Sequence, residues 1–169
     1  DTIKNSGVNY HFSVAKTKYG VAWLAEDGCY LYNGNKTTNL LNNKITVSSS
    51  SFNPTGLSVT KTWNDWYRGS ANVKDPMLGY DPISNSLIML KTPNDSSDDS
   101  NEGWMFDFDS GGWVFHNQIF TNNYIYSNFA IDWNKNLFVV ENSASDDASA
   151  TFQKFLPIKQ SSDDILFFT

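Results

Sequence analysis

Short apolar runs alternate along the chain with polar, turn-forming clusters, the pattern of β-strands joined by tight turns. The first pair is Val21-Ala22-Trp23-Leu24-Ala25 and Cys29-Tyr30-Leu31-Tyr32, split by Glu26-Asp27-Gly28 and followed at once by Asn33-Gly34-Asn35. Asp-Gly and Asn-Gly supply residues that accept a positive φ, which hairpin turns favour. A second pair, Met77-Leu78-Gly79-Tyr80 and Ser86-Leu87-Ile88-Met89-Leu90, flanks Asp81-Pro82-Ile83-Ser84-Asn85. It continues through Trp104-Met105-Phe106-Asp107-Phe108, turns at Asp109-Ser110-Gly111-Gly112 and resumes as Trp113-Val114-Phe115. A third pair, Phe129-Ala130-Ile131 and Leu137-Phe138-Val139-Val140, flanks Asp132-Trp133-Asn134-Lys135-Asn136. It continues through Thr151 to Leu156 and Asp164 to Phe168.

These pairs repeat. Asp81 and Asp132 are 51 residues apart, and the Asp27 turn lies 54 residues before Asp81. Both spacings are close to the ~40–50 residues of a four-stranded propeller blade. The expected fold is therefore all-β and β-propeller-like, a single segment of about three blade units at approximately 10–60, 61–122 and 123–169. The apolar run at 104–108 alternates only partly, which predicts cover on both faces of its sheet, as in stacked blades. Ser48 to Gly56 reads as a loop. Trp63-Asn64-Asp65-Trp66-Tyr67 reads as a short helical turn, with Trp63, Trp66 and Tyr67 on one face. Polar excursions at Pro93–Gly103 and Ser143–Ser149 occupy matching places in the second and third units, as loops on one rim of a repeat array do.

Composition supports the β reading. Aromatic residues make up 15% of the 169, and Asn, Ser, Asp and Gly fill the gaps between apolar runs. Aromatic and β-branched side chains suit a half-buried pleated face. A net charge of −6 argues against a binder of phosphate backbones, which needs Lys and Arg to displace counterions. No apolar run approaches the ~20 residues that span a bilayer as a helix. The chain opens on Asp1 and closes on the apolar run Ile165-Leu166-Phe167-Phe168-Thr169 without a polar tail, which reads as a fragment of a longer chain.

Candidate chemistry is sparse. Cys29, the single cysteine, lies in an apolar run and reads as a buried structural thiol. His11 and His116 have no nucleophile or acid motif beside them, and with Cys29 they give no metal-ligand spacing. Asp95, Asp98, Asp99 and Glu102 could serve a calcium loop, but the spacing of acids around an internal Gly is absent, which favours a solvated loop. Asp132-Trp133-Asn134-Lys135-Asn136 alternates oxygen ligands, yet its counterpart at Asp81 does not, so a turn accounts for both. Asp107 and Asp109, at i and i+2, share a strand face and are the one pair that suits a glycosidase; two acids at a hairpin are commonplace. No cofactor or metal is expected. Trp23, Trp104 and Trp113 fall inside strands and read as core. Trp63, Trp66, Tyr67 and Trp133 fall in a helical turn or a loop and are the candidates for an interface, including one that stacks on sugar rings.

Val21 to Gly34, followed by Thr38-Asn39-Leu40 and Lys44-Ile45, resembles a recurring passage in bacteriophage tail proteins. Gly79-Tyr80-Asp81-Pro82 with Ser86 to Leu90, and Phe106 to Trp113, are similar to blades of the same proteins. These are the β-propeller nozzle, or packaged-DNA stabilisation, components of short-tailed and crAss-like phages. The resemblance covers roughly Gly20 to Thr169. It departs from that family in size, because three units do not close a propeller of ~4–8 blades; further blades of a longer chain or neighbouring subunits would have to complete it. The resemblance implies a non-catalytic structural virion protein of the tail, retaining DNA in the channel. Its partners would be other tail or portal-complex proteins and copies of itself, with no membrane and no sequence-specific nucleic-acid binding. A carbohydrate-binding propeller of a surface or secreted protein is the alternative, resting on the candidate exposed aromatics.

Overall fold

The computed structural model describes residues 7–41, 45, 62–68, 73–93, 103–116, 124–143, 150–155 and 165–167. Twelve strands and one short helix are formed among them, and every strand pairing is antiparallel. The fold is all-β, as its pattern of short apolar runs requires.

The first sheet is a meander of β1 (Val14–Thr17), β2 (Gly20–Ala25), β3 (Gly28–Tyr32) and β4 (Thr37–Asn39). The hairpin at Asp27-Gly28 forms, with Ala25 paired to Gly28, but not through a positive φ: neither residue has one. Gly28 is needed for space, since a Cβ there would sit 2.8 Å from the side-chain amide of Asn39 on β4. The next turn does use glycine's freedom. Gly34 has φ 93°, and the Asn33 side-chain oxygen accepts the N–H groups of Asn35 and Lys36 at 3.0 and 2.9 Å.

Helix α1 (Trp63–Arg68) follows, where the spacing of its aromatic residues predicts it. The second sheet is built from β5 (Val73–Asp81), β6 (Ser86–Pro93), β7 (Gly103–Asp107) and β8 (Trp113–His116). The third has β9 (Tyr124–Ile131), β10 (Leu137–Ser143) and β11 (Ala150–Lys154). The final strand, β12 (Ile165–Phe167), departs from the expected organisation. It pairs with β8, giving the second sheet the order β12-β8-β7-β6-β5 instead of extending the third unit. Its partner is some fifty residues back in sequence (Leu166 opposite Val114), a non-local choice that an apolar run by itself does not reveal.

The turns at Asp81 and Asp132 each join the first and second strands of their sheets, so the 51-residue spacing links equivalent places. The Asp27 turn joins second and third strands. The place equivalent to Asp81 in the first sheet is the Lys18-Tyr19 turn between β1 and β2. The 54-residue offset thus connects unlike turns, because β1 carries only one large apolar residue, Val14, and escapes a search for apolar runs. The excursions at 94–102 and 144–149 and the loop at Ser48–Gly56 lie outside the described residues, although the two excursions do connect the second and third strands of their sheets.

The second sheet is enclosed on both faces. Strand β5 lies beside β1 on one side and β9 on the other. The Leu78 N–H donates to the Phe12 carbonyl at 2.9 Å, and a Cβ on Gly79 would stand 2.6 Å from the Phe129 ring. Along β6, Leu87 and Met89 enter a core shared with Ala22, Leu24 and Cys29 of the first sheet. Ile88 and Leu90 enter a second core shared with Leu137 and Val139 of the third. All four are at most 1% exposed. Burial of each such side chain is worth roughly 1.5–3 kcal/mol relative to leaving it in water. Cover on both faces, expected from the partial alternation at 104–108, is what the chain adopts. Among the described residues the three sheets stack without closing into a ring.

Candidate functional site

Three of the four interface candidates are interior. Trp63 is 0%, Trp66 2% and Tyr67 4% exposed. The one-face spacing that marks them is the buried face of α1, wedged between the first two sheets. The Trp63 indole N–H donates to the Ala25 carbonyl at 3.0 Å, and its ring meets Trp66 at 5.2 Å and Trp113, edge-on, at 6.2 Å. The Trp113 indole N–H donates to the Leu40 carbonyl at 3.1 Å. The buried ammonium of Lys91 on β6 reaches the Trp66 carbonyl. Buried indoles need such acceptors because an unpaired N–H inside a core is costly. These aromatic residues hold the helix in place, and as surface candidates they are corrected.

Trp133 is the opposite case. At the tip of the β9–β10 turn it is 92% exposed. The turn beneath it is tight: the Asp132 carboxylate accepts the Asn136 backbone N–H and side-chain N–H, both at 2.8 Å, and Lys135 has φ 67°. The bonds from Asn136 lower the Asp132 pKa below its ordinary value. This accounts for the alternating oxygens of 132–136 as a turn. Trp104 and Trp113 are core, as their strand positions predict, whereas Trp23 is only half-buried and stacks on Tyr30 at 5.6 Å on the outer face of the first sheet.

The Asp107 and Asp109 carboxylates are both engaged in turn hydrogen bonds. The Asp107 carboxylate accepts the Asp109 N–H at 2.9 Å, the Ser110 N–H at 3.2 Å and the Ser110 hydroxyl at 2.6 Å. Burial pushes its pKa up, but these bonds outweigh it and hold the group below its ordinary value. A glycosidase acid needs the reverse shift. Asp109 instead accepts from the Asn85 amide at 2.5 Å. That amide also donates to the Tyr19 hydroxyl and its oxygen accepts from the Tyr80 hydroxyl, both at 2.9 Å. Asn85, at φ 55°, therefore pins the β1–β2, β5–β6 and β7–β8 turns together.

A repeated device here escaped the search for repeats. Asp81 and Asp107 cap their turns alike: each carboxylate accepts the N–H and hydroxyl of the serine three residues on, and a positive φ follows at Asn85 or Gly111. Asp-x-x-Ser, written once as Asp81-Pro82-Ile83-Ser84 and again as Asp107-Phe108-Asp109-Ser110, is the signal that would have found it.

Cys29 is buried, and burial raises its thiol pKa well above the ordinary value, consistent with an inert structural thiol. His11 is exposed with its ring tilted against that of Phe12 at 3.9 Å, whereas His116 is buried on β8. Among the described residues no group of three or more His, Cys, Asp or Glu is placed to hold a metal, and no helix is long and apolar enough to cross a membrane. The acids Asp95, Asp98, Asp99 and Glu102 lie outside the described residues. No family model, curated protein or solved structure matches the chain.

What remains for interaction is apolar sheet surface. The outer face of the first sheet carries Val14, Val21 and Tyr32, 40–43% exposed, around the Trp23–Tyr30 stack. The outer face of the third carries Phe138, Val140 and Phe152, the last 69% exposed. Such faces can bury apolar area against another sheet.

Proposed function

We propose that the chain is a structural module of a bacteriophage tail of the nozzle type, a propeller-like blade array that helps retain DNA in the tail channel and has no catalytic role. The observation that carries this reading is the stack itself. Three antiparallel sheets lie face to face with their first strands side by side, β5 between β1 and β9, which is how the inner strands of propeller blades are arranged. The resemblance of Val21 to Gly34 and of Gly79 to Trp113 to blades of nozzle proteins supplies the location. The engagement of Asp107 in its turn is consistent with a non-catalytic role. A net charge of −6 suits a channel wall along which DNA moves without being gripped. Other tail or portal proteins and copies of the chain are the partners. Cryo-electron microscopy of purified particles tests it: density for these stacked sheets on the tail axis is expected, and a protein absent from purified virions would refute the reading.

The 92% exposure of Trp133 favours a second reading, a carbohydrate-binding propeller in which that indole stacks on a sugar ring. Saturable binding on a glycan array, abolished by Trp133→Ala, is its expected result. Binding unaffected by that substitution would remove it.

A further inference from the structure

Strands β6 and β10 carry equivalent apolar runs, Leu87-Ile88-Met89-Leu90 and Leu137-Phe138-Val139-Val140. A continuous apolar run is the signature of a strand covered on both faces. In β6 both faces are covered. In β10, Leu137 and Val139 are buried against the second sheet, while Phe138 and Val140 point to the other side and are only half-buried, beside the exposed Phe152. The third sheet therefore has the sequence of an inner blade and the cover of a terminal one.

The stacking order says what would cover it. The first sheet's inner face packs on the second, and the second sheet's far face packs on the third. Continued one step, that order sets the outer face of a third sheet against the outer face of a first sheet. The first sheet's outer face is largely apolar, with Val14, Val21, Trp23 and Tyr32, and carries one exposed charge, Lys16, opposite Val21. We infer that copies of this chain associate head to tail, third sheet to first sheet. This rests on the blade-stack reading above and is independent of where the protein resides. The contact is heterologous, so one geometry serves both outer faces.

Sedimentation equilibrium of the 169-residue chain tests this with two variants, Val21→Glu on one face and Phe152→Glu on the other. The wild-type chain should sediment with more than one chain mass. Either variant takes a carboxylate into the contact, where the neighbouring Lys16 or Lys154 only partly offsets its desolvation, and should weaken association by at least about tenfold. Mixing the two should restore a one-to-one pair, since each variant keeps one intact face and the two intact faces are complementary. A face-to-face dimer through the first sheet would be indifferent to Phe152→Glu and would gain nothing from mixing, which would overturn the inference. So would a wild-type chain that stays monomeric throughout; the tail reading would then still stand or fall by microscopy. Both positions are exposed, and circular dichroism checks that each variant is folded. Tyr32→Lys and Lys154→Glu address the same two faces if either variant is not.

Discussion

The second and third sheets are made from the same kind of sequence and end in different surroundings. Four consecutive apolar residues of β6 alternate between two cores, whereas the matching four of β10 alternate between one core and a partly open face. The difference lies in neighbours and not in strand chemistry. An apolar run specifies how much cover a strand can use, and the stack determines how much it receives. The second sheet is therefore where stability should concentrate, and the third sheet's outer face is where substitutions should be tolerated by the isolated chain.

The largest expected effect sets those two regions against each other. Trp104 on β7 is 1% exposed and packs on Phe115 at 4.7 Å and edge-on to Trp113 at 6.2 Å. Trp104→Ala should cost about 3–5 kcal/mol of unfolding free energy, from lost transfer energy and the cavity left behind. Phe152→Ala, at 69% exposure, should stay within about 0.5 kcal/mol for the monomer. Urea unfolding of both variants, below the concentration at which copies associate, is the measurement. Equal losses would mean that the third sheet's outer face is as covered as the second sheet's core.

Between the two regions lies one contact that can be loosened by adding an atom instead of removing one. Gly79 on β5 faces Phe129 on β9, and a Cβ would come 2.6 Å from the ring. Gly79→Ala should destabilise by about 1–3 kcal/mol, the usual range for an overpacked contact. Because the clash is with a side chain, Phe129→Ala in the same molecule should recover part of the loss. A double-mutant cycle with favourable coupling confirms that the second and third sheets meet here. Additive losses would place the contact elsewhere.

Local chemistry was legible in the sequence and partnership was not. Turns at Asp27-Gly28, Asn33-Gly34, Asp81 to Asn85 and Asp132 to Asn136 were readable because a few adjacent residues create each of them. Even there, Gly28 acts through its small size and not through its φ. The helical spacing of Trp63, Trp66 and Tyr67 located α1 but not the side it turns inward, since periodicity marks a face without saying what lies against it. The pairing of β12 with β8 was invisible for the same reason, since it depends on a neighbour far along the chain, whereas β1 was missed because Val14 is its one large apolar residue. Of the interface candidates only Trp133, at the tip of a short turn, sits where no neighbour could bury it.

The smallest effect compares the acid sensitivity of the turn at Asp107 in the second sheet with that at Asp132 in the third. Both carboxyls have folded pKa values below the ordinary 3.8, so each favours the folded state when ionised. The contribution is fully present above the unfolded pKa and is lost as pH falls through the folded one. Both effects therefore belong to the acid limb, below about pH 4, and neither should alter stability near neutrality as pH changes. Replacing either aspartate by asparagine removes the titration and should flatten that limb, besides a constant loss from exchanging an acceptor oxygen for a donor. The two sites should differ in how salt acts. Asp107 is held by the Ser110 hydroxyl and its own turn amides, neutral donors in direct contact that bulk ions screen little. Asp132 also feels the charge of Lys154, an exposed interaction that salt weakens. NMR titration of the two carboxyls at low and high salt should therefore move the Asp132 midpoint upward and leave that of Asp107 nearly in place. Equal movement would mean that Lys154 does not set the two turns apart.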